Sequence, residues 1–171
     1  MNKISFECLA LWCEESGYVL EDWMPRMRSV EDTLTIPVPG APQTLAELVD
    51  ELVSFDGRQE ERIVWIRDWT IWNERSQEIG LSHLRLLANA VQTTEQGSQG
   101  HIYRFDSSEW SSVIAFLTIP ILYGWDAHLF CRSGEALVDI SHHGELTVSL
   151  RANARLVENR LLAWASPSKP G

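Results

Sequence analysis

The chain has 171 residues, enough for one domain with a substantial buried core. Its formal net charge is −10, and the first 51 residues alone hold ten acidic against three basic side chains. A chain this acidic is repelled by phosphate backbones and by anionic bilayers, so the expectation is no nucleic acid, no membrane surface, and attraction to a basic protein partner. The hydrophobic fraction of 44% excludes the disordered class.

Cys8, Cys13 and Cys131 make an odd count without a CxxC pair, so neither a disulfide framework nor a zinc pattern is expected, and each reads as a small buried hydrophobe. Glu7 falls where a secretion signal needs an apolar run, which points to the cytoplasm. The longest apolar run, 113–123, contains Thr118 and Pro120 and is too short to cross a bilayer. Eight tryptophans are many for this length. Each fills a core or anchors an interface.

In chain order, Ile4, Phe6, Cys8, Ala10 and Trp12 alternate with their neighbours and suggest a strand over 4–12. Residues 14–43 are acidic and punctuated by Pro25, Pro37, Pro39, Gly40 and Pro42. They read as an irregular segment, extended only over Thr33–Val38, and suit a wrapping arm or functional loop. Thr44-Leu-Ala-Glu47 is a capping box, and Leu45, Leu48, Val49, Leu52 and Val53 follow helical spacing over 44–54. Residues 63–72 are β-branched and aromatic on both faces, as in a central strand, with Arg67 and Asp68 pointing to opposite sides. Asp68, with Trp72 close by, is a candidate partner-binding residue. So is Trp23 in the acidic third.

Leu81, Leu84, Ala88 and Val91 mark a helix over 75–92, weakened locally by Gly80. A short strand over 101–105 carries Ile102 and Arg104 on one face. Asp106-Ser-Ser-Glu109 is a second capping box, opening a deeply buried helix that Pro120 ends or kinks. Strand and helix alternate up to this point, which favours at least one crossover between neighbouring strands. Val157, Leu161 and Trp164 mark a last helix over 153–165, with Asn153 as its cap.

Residues 124–150 carry the clearest pattern, a three-strand antiparallel meander. A tight turn at Ser133-Gly134 sets His128 opposite Asp139 and Asp126 opposite Ser141. It leaves Ala127, Leu129 and Cys131 facing Ala136, Val138 and Ile140 on an apolar face. A three-residue turn, His142-His143-Gly144, sets Asp139 against Thr147 and Ser141 against Glu145. The polar face therefore presents Asp126, His128, Asp139, Ser141, Glu145 and Thr147. A His beside carboxylates can move a proton, and the same face of a solvated sheet can carry such pairs for cross-strand attraction alone. His142 and His143 sit in the turn as exposed, pH-sensitive contacts.

The chain has no GxGxxG, Walker, GxSxG, HExxH or EF-hand pattern, so no cofactor or metal is assigned. The expected fold is α+β (mixed α/β), one domain over 1–171. It has a single sheet of about five strands, ending in the meander and covered by about four helices. The leading expectation is a small acidic cytoplasmic protein-binding module, of which a bacterial immunity-type inhibitor of a basic toxin is one version. The alternatives are a small hydrolase or metal-dependent enzyme using Asp126, His128, Asp139 and Glu145, and a subunit of a larger assembly.

Overall fold

The computed structural model describes residues 1–21, 24–54, 60–68, 74–90, 101–151 and 155–165. In chain order these form β1 (Asn2–Lys3), α1 (Phe6–Ser16), β2 (Tyr18–Glu21), β3 (Met24–Met27), β4 (Asp32–Pro37), α2 (Pro42–Ser54) and β5 (Arg62–Asp68). They continue as α3 (Glu74–Ala90), β6 (His101–Phe105), α4 (Trp110–Tyr123), β7 (Asp126–Cys131), β8 (Ala136–Ser141), β9 (Glu145–Leu150) and α5 (Arg155–Ala165). The fold is α+β. A seven-stranded sheet runs β1-β6-β5-β7-β8-β9-β4 with every neighbouring pair antiparallel, and β2 and β3 form a separate hairpin. The large sheet thus exceeds the expected five strands. The two extra strands are its edges: β1, two residues long, and β4, from the acidic third.

The meander has the register that its apolar face dictates. Ala127 pairs with Ile140, His128 with Asp139 and Leu129 with Val138, then Asp139 with Thr147 and Ser141 with Glu145. The β7–β8 pairing starts at Ala127, one residue inside the expected Asp126–Ser141 pair. Gly134 and Gly144 take φ of 65° and 80°, the left-handed conformation both turns require. β5 is central as expected, flanked by β6 and β7. Both flanking strands run antiparallel to β5 and so parallel to each other. The crossover carried by α4 therefore joins strands on either side of β5, not immediate neighbours.

One face of the sheet is sealed. Leu34, Ile36, Val64, Ile66, Tyr103, Phe105, Leu129, Val138, Leu146 and Val148 pack beneath α2, α3, α4 and α5. Gly80, which weakens α3 by propensity, is where that helix presses on Trp125. A methyl group there would run into the indole. α4 runs through Pro120 to Tyr123 and ends at Gly124, φ 59°. Its capping box closes the turn before the helix, with Glu109 accepting from the Asp106 N–H at 3.0 Å and Asp106 accepting from the Ser108 N–H at 2.8 Å.

The other face departs from expectation. Residues 6–16 form a helix, not a strand: Ser5 caps it by accepting from the Cys8 N–H at 3.3 Å, and Leu9, Trp12, Cys13 and Ser16 give it a buried stripe at helical spacing. The segment 14–43, expected to be irregular outside Thr33–Val38, holds β2 and β3 as well as β4, which falls on that extended stretch. Pro25 is accommodated because β3 pairs on one side only. α1 and the β2–β3 hairpin form a second core with Ile63, Trp65, Ile102, Phe130 and Leu137, covering part of the face that the meander pattern marks as polar. The Tyr18 hydroxyl ties this cover down. It donates to the carbonyl of Cys131 or Ala136, 2.8 and 2.7 Å away, and accepts from the Cys131 N–H at 3.1 Å. Trp12, Trp65 and Trp125 are buried, so these three serve the core. Trp23 and Trp72 lie outside the described residues.

Candidate functional site

The register strings one row of side chains across five strands: Trp65 on β5, His128 on β7, Asp139 on β8, Thr147 on β9 and Thr35 on β4. The row runs from core to solvent. Trp65 and His128 are each 3% exposed, the Asp139 side chain is 35% exposed, and Thr35 is exposed. The expected His128–Asp139 pair is formed, with Nδ1 to Oδ1 at 2.5 Å. A carboxylate only accepts here, so Nδ1 carries the hydrogen. Nε2 is buried without a hydrogen-bond partner, and the ring's neighbours are Trp65 and Phe130, with centroids 5.2 and 6.1 Å away. The nitrogen that would exchange a proton with a substrate is closed off beneath the cover. The pair, as placed, orders the sheet.

Asp126 is engaged elsewhere. It accepts from the His142 N–H at 3.0 Å, lies 2.9 Å from His142 Nδ1 and pairs with Arg67 at 3.4 Å. Arg67 also reaches the Met24 sulfur at the hairpin. Burial pushes the Asp126 carboxyl up, but the two His142 hydrogen bonds, the charge of His142 and Arg67 together outweigh it and hold it below the ordinary aspartate value. A depressed carboxyl stabilises the fold above its unfolded value and loses that contribution as pH falls through the folded one. Asp126→Asn should therefore destabilise at neutral pH, and its gap to wild type should close as the solution is acidified below the ordinary aspartate value. Urea titrations across that range check this.

Glu145 is exposed at the start of β9, opposite Ser141. The four candidate catalytic residues thus do not converge. Among the described residues no cluster of three His, Cys, Asp or Glu side chains is placed to hold a metal. His143 packs against His142 with its ring tilted, centroids 3.9 Å apart, and is exposed. Of Asp68 the structure gives the backbone, which closes β5 opposite Asp126 after a bulge.

What the sequence reading missed is how the polar face is divided. β8, β9 and β4 leave a strip outside the cover, and nine side chains point to it. They are Leu137, Asp139 and Ser141; Glu145, Thr147 and Ser149; Thr33, Thr35 and Pro37. Leu137 is buried under the hairpin, whereas the other eight reach solvent. None is cationic, and two are carboxylates. The third strand lies where the sequence reads as extended, over Thr33–Val38, with polar and apolar residues in strict alternation, and what the local pattern does not give is its place beside β9.

A groove of about 540 Å³ also runs along α1, but its charges answer one another. Glu61 accepts from Trp12 Nε1 at 2.5 Å and from Arg104 at 2.6 Å, and Arg132 pairs with Glu15 at 2.9 Å. A ligand would have to displace these pairs. Cys8 is exposed on its wall, whereas Cys13 and Cys131 are buried, and burial pushes the Cys13 thiol up to about 12. A thiol-reactive dye should modify one cysteine in native protein and three after unfolding; more than one in the native state would contradict this packing.

Among the described residues no helix is long and apolar enough to cross a membrane. No protein-family model matches this chain, and comparison with curated proteins and with solved structures finds no match.

Proposed function

We propose that this protein is a binding module for a basic protein partner, which docks on the open strip of β8, β9 and β4. The observation that carries the reading is that strip: α1 and the hairpin cover much of this face of the sheet, and the side chains that β8, β9 and β4 leave to solvent include Asp139 and Glu145 among short polar groups and no cation. The net charge of −10 adds long-range attraction for a partner of opposite sign and speeds encounter at low salt. A cytoplasmic immunity-type inhibitor of a basic toxin is the concrete version that this chemistry suits, since such an inhibitor gains most from fast, steered association.

The reading is tested with Thr35→Lys/Glu145→Lys. Both positions are exposed, so the fold tolerates the change. Immobilised wild type should retain a stoichiometric basic protein from host extract at low salt and release it as salt rises. The double variant should bind that purified protein at least tenfold more weakly, about 1.4 kcal/mol. Recovery of no stoichiometric partner, or equal binding by the variant, would sink the reading.

A further inference from the structure

We infer that the element a partner brings to the strip is a basic α-helix laid along β9. This rests on the binding reading above and adds the shape of what binds.

The free edge of the sheet argues against the commonest alternative, strand addition. The Val38 N–H bonds the Gly144 carbonyl at 2.9 Å, which fixes the phase of the pairing. The even-numbered residues of β4 turn their peptide groups to β9, and Thr33, Thr35 and Pro37 turn theirs outward. The Thr33 N–H is taken by the Asp32 carboxylate at 2.7 Å, and Pro37 has no N–H. A strand arriving at this edge would find one outward backbone donor, Thr35, where a regular strand offers three.

The strip's face fits a helix instead. From β8 to β4 is two interstrand spacings, about 10 Å, close to the diameter of a helix with its side chains. Its six-residue strands run for roughly 20 Å, the length of about 13 helical residues. The middle strand offers Thr147 and Ser149, side chains short enough for a helix to approach closely. The hairpin strand β3 packs on β8 and gives the strip a wall on one side. Asp139 and Glu145 are diagonal neighbours, about 7–8 Å apart. Lysines or arginines at i and i+4 on one helix face are spaced to reach both. A second copy of this chain is a poor occupant, because it carries the same charge of −10.

The test uses full-length, isotope-labelled protein and two synthetic 14-residue peptides of equal charge. One is an amphipathic helix with lysines at i and i+4; the other carries two central prolines that break it. With the helical peptide at low salt, saturable amide shifts are expected on residues 33–36, 139–141 and 145–149. The proline peptide should bind at least tenfold more weakly, and Thr35→Lys/Glu145→Lys should remove the shifts. Equal binding of both peptides, shifts centred elsewhere, or no saturable shifts would overturn the helix inference. If the double variant loses the natural partner while the helical peptide leaves the strip unshifted, the helix falls and the binding module stands. If neither partner nor peptide binds, both fall.

Discussion

Gly134→Ala should lower folding stability by about 3 kcal/mol, whereas Gly144→Ala should lower it by only about 1 kcal/mol. Both glycines turn corners of the meander with positive φ, 65° and 80°, so both substitutions place a side chain in the left-handed region. The difference lies in the surroundings. A methyl group on Gly134 would run into the Ser16 carbonyl oxygen at the end of α1, backbone that cannot swing aside. A methyl group on Gly144 meets nothing within 4 Å. Gly17 should fall between them, because its intruding neighbour is the end of the flexible Arg151 side chain. Urea unfolding followed by circular dichroism measures all three. Equal losses at Gly134 and Gly144 would mean that α1 does not sit on the meander turn.

Asp139→Ala is the second large effect, expected to lower stability by about 2 kcal/mol. The carboxylate is half-exposed and loses little by itself. The loss arises at His128, whose Nε2 is already without a partner and whose Nδ1 would join it in a buried, aromatic surround. His128→Leu takes away both ring nitrogens and leaves Asp139 able to take water in place of Nδ1, so it should change stability by less than about 1 kcal/mol. On that background Asp139→Ala should become nearly silent. A double-mutant cycle showing additive losses would mean that the imidazole does not depend on Asp139.

The meander was legible because two constraints agree. Alternation from Ala127 to Val148 admits one register that keeps the apolar face whole, and Gly134 and Gly144 mark the only turns compatible with it. α1 was misread because two periodicities overlap there. Ile4, Phe6, Cys8, Ala10 and Trp12 alternate, while Leu9, Trp12, Cys13 and Ser16 repeat at helical spacing. The Ser5 cap decides between them. β2 and β3 were hidden by Pro25, which a two-stranded hairpin tolerates and a central strand does not. The His128–Asp139 pair could be read locally, but not its burial. The cover comes from residues more than a hundred positions away, as the Tyr18 bond to Cys131 shows, and no local pattern carries that information. The open strip was missed for the same reason, since one of its three strands, β4, is separated in sequence from the other two.

That separation also sets the order of events during synthesis. β4 leaves the ribosome more than a hundred residues ahead of β9, the strand it pairs with. Throughout that interval the nascent chain carries Leu34 and Ile36 uncovered on a segment able to pair with foreign strands. Pro37 and the Thr33 N–H blunt only the outward edge, and the edge that waits for β9 stays open. Until β9 arrives, β4 lacks the pairing that fixes it to the rest of the sheet. Zipping β4 onto β9 is then a late, long-range step, and chain-release mutants that end before residue 145 should be the ones that call on chaperones.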